Sequence, residues 1–382
     1  MSSESEIYER TLGFFLGPVD EFLKDPTVSE IMINGTDEVY IERRGVIERT
    51  GVRFPNDDHL MAAVKNVAQY TGKRIASDTS RFDSRLPDGS RVHVVLPPSS
   101  RKGIVVSIRK FSRQKLTLDR LVEFGSLTDE AREFLEVAVV LAKNLLVSGG
   151  TSSGKTSLLN SLSGAIPSNQ RVIVLEDSSE LQLSQEHVLY FEARSPDRYG
   201  KGAVTIRDLF HSSLRLRPDR IVIGEIRGGE ALDMIQAMTS GHSGSMSTLH
   251  ANNPRDALNR LETMALMSGI EMPLFALRSQ VASAVDLIVQ ACRLHDGSRR
   301  VTHISEVMSL TDAGKYEVQD LFVYRAQGNG SGPDRLNWTG TCASFACEVP
   351  VMRLDEKVRH ARGVLGLERE AAKNALSVAA AH

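Results

Sequence analysis

Only three cysteines, Cys292, Cys342 and Cys347, occur in 382 residues. They include no C-x-x-C pair, so neither a disulfide framework nor a four-thiolate zinc site is encoded, and a reducing cytoplasm is the expected setting. An excess of charge is missing too: 46 basic and 48 acidic side chains leave a formal charge of −2. No stretch interleaves basic with aromatic residues, so nucleic acid is not the expected main partner. Long apolar runs are also absent. The run Val137–Ala142 stops at Lys143, far short of the roughly 20 residues that a bilayer span needs. Glu4, Glu6 and Glu9 stand where a signal peptide would carry positive charge, so export by that route is not expected. There is no internal repeat. What remains is a globular composition, 25% charged and 41% hydrophobic, and at roughly 150 residues per domain it predicts two or three domains.

Apolar residues recur at three and four from Ile7 to Leu23, predicting an amphipathic helix ended by Pro26. Short strands follow at residues 31–33, 39–41 and 44–47, then a helix from Pro55 to Tyr70 and extended runs at 81–86, 91–96 and 104–109. Residues 1–112 therefore read as an α+β domain. A polar stretch, Lys110–Asp119, expected to act as a hinge, overlaps an expected linker at 113–127, ahead of a helix from Thr128 to Ala142. From Asn144 the rhythm becomes buried strand, turn, helix: 145–147, 172–175 and 220–224 are apolar on both faces, the mark of a parallel sheet covered by helices. This α/β domain is assigned to 128–330, a flexible break to Gly328–Gly332 and a C-terminal tail to 331–382, of helix-favouring composition from Arg353 to Ala381.

The chemistry is concentrated in Gly149-Gly150-Thr151-Ser152-Ser153-Gly154-Lys155-Thr156, which follows a strand and opens a helix at Ser157. It fits the phosphate-binding pattern G-x-x-x-x-G-K-[ST] in the required context. Backbone N–H groups and the helix N-terminus cradle the phosphates of ATP, Lys155 reaches their outer oxygens, and Thr156 supplies a Mg²⁺ ligand. Two later strands end in carboxylates, at Glu176-Asp177 and at Glu225, where ligands of parallel sheets bind. Glu225 is assigned to the attacking water and Glu176 to the metal's water shell or the water, with Asp177 as a further candidate. His242 and His250 flank the run Ser245–Leu249; two histidines without further ligands do not make a zinc site. They are assigned as sensors that hydrogen-bond a phosphate oxygen or the catalytic carboxylate, against the alternative of a buried structural histidine. Arg85, Arg91 and Arg109 sit on or beside the last strands of the first domain. Composition and spacing alone leave them as solvated ion-pair arginines.

With these motifs in order, the chain resembles the secretion-superfamily ATPases that drive type II and type IV secretion, conjugation and type IV pili. The resemblance covers Asn144 to about Val289: the phosphate loop is the Walker A motif, Val174–Glu180 an Asp box, Ile221–Arg227 the Walker B motif, and Thr239–Asn252 a His box. It implies a RecA-like ATPase domain behind a smaller N-terminal domain, with ATP between them in a homohexameric ring. It also implies that Arg85, Arg91 and Arg109 approach the phosphates and that the ring works peripherally at the cytoplasmic face of the inner membrane on a platform protein. The four-cysteine zinc insertion of many pilus-assembly members is missing. Pro26–Gly35 and Leu321–Tyr324 look most like the CpaF-like ATPases of Tad pili, with the conjugation ATPases of type IV secretion as the near alternative.

Overall fold

The structure, a computed structural model, describes residues 11, 13–76, 79–111, 116–194, 196, 200–325 and 335–368. The chain divides into two compact units, Met1–Gln114 and Lys115–His382. Among the described residues no helix is long and apolar enough to cross a membrane.

The first unit is a six-stranded antiparallel sheet, ordered β3-β2-β1-β6-β5-β4, made of β1 (Val28–Asn34), β2 (Val39–Arg43), β3 (Val46–Arg49), β4 (Arg81–Arg85), β5 (Arg91–Val95) and β6 (Val105–Arg109). Two helices accompany it, α1 (Asp20–Lys24) and α2 (Asp57–Tyr70). Period-two alternation sends Ile31, Ile33, Val92, Val94, Val106 and Ile108 to one face, where Leu60, Ala63, Val64 and Val67 of α2 cover them. The other face carries the polar partners of the alternation. The predicted Ile7–Leu23 helix differs: residues 1–10 and 12 lie outside the described residues, and Gly17-Pro18 starts a 3-10 turn, Gly17–Val19, ahead of α1. Pro18 has no N–H with which to continue an α-helical ladder.

The second unit holds a nine-stranded sheet ordered β15-β14-β13-β12-β7-β11-β10-β8-β9. Its strands are β7 (Leu145–Gly149), β8 (Val172–Glu176), β9 (Val188–Glu192), β10 (Arg220–Ile223), β11 (Met246–Leu249), β12 (Leu287–Arg293), β13 (Arg299–Val307), β14 (Val318–Arg325) and β15 (Arg335–Trp338). The six from β12 to β9 are parallel, and β13, β14 and β15 extend them antiparallel. Each central strand is apolar on both sides because both faces are covered. Leu145, Val147, Val172, Val174 and Val222 face α3 (Leu118–Glu123), α4 (Asp129–Val140) and α5 (Lys155–Ser163). Leu146, Ile173, Leu175, Ile221 and Ile223 face α6 (Ile206–Ser213), α7 (Glu230–Thr239), α8 (Pro254–Leu266) and α9 (Leu274–Ala284).

Two assigned boundaries are corrected. Part of the expected 113–127 linker is helix α3, whose Leu118 and Leu121 are buried in this core and whose Thr117 side chain caps Arg120 N. Its apolar spacing is too short to stand out in a sequence window. The expected hinge at Lys110–Asp119 has residues 112–115 outside the described residues, as does the predicted break at 328–332. The assigned tail, 331–382, is likewise not a tail where it is described: β15 joins the sheet, and Phe345, Val349, Val358, Val364 and Leu365 are buried. Residues 353–366 are turns rather than helix, and 369–382 lie outside the described residues.

Charge fastens that segment. The buried Glu133 carboxylate of α4 accepts from the backbone N–H groups of Arg359 (2.8 Å), His360 and Ala361 (2.7 Å). Burial alone would raise its pKa, but the three donors outweigh burial and hold it below the usual carboxylate range. A depressed folded pKa means stability that is present above the unfolded value and lost as pH falls through the folded one. Glu133→Gln is therefore expected to cost about 1–3 kcal/mol near neutrality, the scale of a buried donor left unmatched. Thermal melts against pH check this: the gap between wild type and variant should narrow on acidification, and a gap that widens contradicts the clamp.

Candidate active site

The phosphate-loop segment runs from the end of β7 into α5. A side chain could not replace the hydrogen at Gly149, because a Cβ there would lie 2.3 Å from the Ala291 carbonyl oxygen of neighbouring β12. Ser153 Oγ donates to Gly150 O (2.9 Å), Gly154 takes φ +91°, and α5 begins at Lys155. Its first-turn N–H groups, including those of Thr156 and Ser157, belong to the unpaired N-terminal set that favours an anion. Arg299 of β13 braces the loop through Nε to Ser152 O (3.0 Å), a contact with no signal in the motif. Lys155 is only 8% exposed, and its Nζ donates to Gly150 O (2.9 Å) and to His250 Nδ1 (3.3 Å).

β10 and β11 complete the arrangement, because the sheet order sets β11 between β7 and β10. Glu225 follows β10 and His250 follows β11, so both emerge at the carboxyl edge where Lys155 sits. His250 Nε2 lies 2.8 Å from Glu225 Oε1. The two partners fix the tautomer: Nδ1 accepts from the Lys155 ammonium while Nε2–H donates to the Glu225 carboxylate. Partial burial and the nearby Lys155 charge lower the pKa of His250, against the opposing pull of Glu225. The result is a chain of hydrogen bonds from Lys155 through a neutral His250 to Glu225. Thr248 Oγ1 donates to Gly224 O (2.7 Å), and Gln290 Nε2 to Ala251 O (3.1 Å) while its oxygen accepts from Ser148 Oγ. These bonds tie the ends of β7, β11 and β12 together, and no sequence spacing announces them.

Glu176, 3% exposed at the end of β8, uses Oε1 to accept from Glu180 N (2.8 Å) and Leu181 N (2.9 Å). It thus organises the loop behind the site as well as facing the crevice edge. Asp177 reaches Arg227 (3.3 Å), which also binds Glu225. Arg227 was given no role by the sequence.

His242 is not brought to this group. It precedes β11, and β11 runs parallel to β7, so the four residues of that strand at about 3.3 Å each separate its turn from the phosphate-loop edge. The turn is fastened at the amino edge: Asn144 Oδ1 accepts from Gly244 N (2.8 Å) and Ser245 N (3.1 Å), and Arg220 Nη1 reaches Ser243 O (3.4 Å). Arg220 is 2% exposed, with burial lowering its pKa to about 10, and it leaves no room for a side chain at Gly244. The sensor assignment of His242 is therefore corrected to a structural place in this turn.

Arg85, Arg91 and Arg109 stand on one rung of the first unit's sheet, paired Arg85 with Arg91 and Arg91 with Arg109, on the face away from α2. Glu30 of β1 pairs with Arg109 on the same rung.

No group of three or more His, Cys, Asp or Glu among the described residues is placed to hold a metal ion. Mg²⁺ keeps several waters and binds through few protein ligands together with substrate phosphates, and Thr156, in the first turn of α5, is a residue that could hold it.

The family model "Type II/IV secretion system protein" matches residues 15–358. A Mycobacterium tuberculosis protein named for conjugal transfer is 31% identical over 295 residues, covering 76% of this chain and 83% of that one. The type IV secretion system protein VirB11 of Brucella suis is 33% identical over 325 residues, covering 78% of this chain and 90% of that one. The crystal structure of the pilus retraction motor PilT with bound ADP shares the fold, with a TM-score of 0.52 at 16% identity over 94% of this chain and 93% of that one.

Proposed function

Since the chain belongs to the type II/IV secretion system protein family, we propose that it is an ATPase whose cycle of binding and hydrolysis drives such a machine. The observation that carries this reading is the contact chain from Lys155 through His250 to Glu225, at the end of a phosphate loop. Lys155 Nζ donates to Gly150 O of its own loop and to His250 Nδ1. ATP phosphates offer it stronger, charged acceptors, so binding draws the lysine away and changes what His250 offers to Glu225. Glu225 orients the attacking water and Glu176 acts on the water shell of Mg²⁺. Thr156 would hold Mg²⁺ together with phosphate oxygens, and the ion would supply positive charge against that of the transferring group. The full chain should release phosphate from ATP only with Mg²⁺; wild-type protein without such turnover would refute the reading.

The finer assignment is a homohexameric motor at the cytoplasmic face of the inner membrane, acting on a platform protein of a Tad-type pilus. Its support is the likeness of Pro26–Gly35 and Leu321–Tyr324 to CpaF-like ATPases. A conjugative type IV secretion role is the second reading, favoured by the names of the Mycobacterium and Brucella relatives. If the machine moves pilin or protein, single-stranded DNA is expected to leave the ATPase rate unchanged, in keeping with the net charge of −2. DNA stimulation would favour a DNA-linked translocase instead.

A further inference from the structure

Glu225 is held from two sides. Oε1 meets His250 (2.8 Å), whereas Oε2 accepts from Arg227 Nε (2.6 Å) and also meets Arg227 Nη2. The other arm of the same guanidinium, Nη1, lies 3.3 Å from Asp177 Oδ2, on the loop that Glu176 organises. The backbone of Arg227 is fixed as well, because Glu230 Oε1 accepts from Arg227 N (2.7 Å) and Gly228 N (2.9 Å). The Glu225 side chain is 17% exposed and that of Arg227 62%. An arginine so exposed contributes little to folding stability, yet it controls the direction of a carboxylate that is mostly enclosed. A planar fork with donors on separate edges can hold two carboxylates at a fixed separation, which a lysine cannot do.

We propose that Arg227 is a positioning residue for the Glu225 carboxylate, fixing its orientation and tying it to Asp177 so that the ends of β10 and β8 present one geometry to the reacting water. This rests on the ATPase reading above. With Oε2 taken by the guanidinium, only Oε1 is left to exchange between His250 and water. A tilt of the carboxylate would move that oxygen out of line with the γ-phosphorus, and catalysis of this kind depends on such placement. Arg227 touches neither nucleotide nor water in this scheme, so its removal acts on turnover and not on ATP binding.

The test uses the full chain, with Mg²⁺-dependent ATP hydrolysis, equilibrium binding of a fluorescent ATP analogue and thermal melts measured side by side. Arg227→Gln is expected to lower kcat roughly tenfold or more, part of the 10²–10⁴ that a positioned general base supplies. Analogue affinity should stay within about twofold, since ground-state binding is untouched, and Tm should not move. Arg227→Lys keeps the charge without the fork and is expected to recover only part of kcat. Asp177→Asn should lower kcat less, and should add nothing in the Arg227→Gln background, because Asp177 acts through the guanidinium. Wild-type kcat in Arg227→Gln, lost affinity in place of lost kcat, or an undiminished Asp177→Asn effect in the double variant overturns the proposal. A wild-type chain that does not hydrolyse ATP overturns the ATPase reading itself; an active wild type beside an equally active Arg227→Gln overturns the positioning role alone.

Discussion

Turnover in Glu225→Gln is expected to fall by roughly 10²–10⁴, the contribution of a positioned acid–base group, while ATP stays bound. Glutamine keeps the shape, but its single amide oxygen can accept from only one of His250 Nε2 and Arg227, which bind opposite oxygens of Glu225, and it cannot take a proton from water. Lys155→Ala should show the opposite pattern. Its ammonium is the only lysine in the hydrogen-bond chain and is nearly buried, so its loss removes ground-state phosphate binding and ATP affinity falls before any effect on chemistry can be read. Equilibrium binding together with single-turnover hydrolysis separates the two. Normal turnover in Glu225→Gln would remove it from the water-orienting role. Equal loss of affinity in both variants would mean that the chain of contacts binds phosphate as a unit.

Replacement of the first unit's arginines is expected to be of similar size. The phosphate loop brings one lysine to a site whose other charged groups are mostly carboxylates, Glu176, Glu225 and Asp177, which leaves charge on the transferring γ-phosphoryl group undercompensated. An arginine supplied to such a site lowers the barrier by a factor of roughly 10³–10⁵ in P-loop enzymes. Arg85, Arg91 and Arg109 form one rung across three strands, with Glu30 of β1 beside Arg109. At least one of Arg85→Ala, Arg91→Ala and Arg109→Ala should lose ATPase rate far more than melting temperature. Mixing each variant with Lys155→Ala subunits tests whether the arginine acts within a chain or across to a neighbour. Full rate in all three returns them to ordinary surface ion pairs.

Much of this was written in local pattern. A phosphate loop needs eight contiguous residues between a strand and a helix, and Gly149–Thr156 provides them in an order that chance seldom gives. Strands 145–149, 172–176 and 220–223 were legible because a sheet covered on both faces demands unbroken apolar runs. The two ends of the second unit were misread for the complementary reason. Helix α3 is short, the segment after β15 carries its apolar residues without a regular helix or strand period, and what orders them comes from elsewhere: the α4 and α5 surface for Leu118 and Leu121, and the Glu133 carboxylate for residues 359–361.

The sequence by itself determined the local chemistry: a cradle for phosphate, a lysine within it, carboxylates closing apolar strands and two histidines around a third strand. Strand order was decided only in the tertiary structure. By setting β11 between β7 and β10 it carried His250 to Lys155 across 95 residues of chain and left His242, only eight residues away in sequence, at the opposite edge of the sheet. It also turned Arg227 from one more charge after a strand into the group that joins Glu225 to Asp177. Periodicity reports which face of an element is buried, but which elements become neighbours depends on how whole apolar faces pack together, and that information is spread over every strand and helix in the unit.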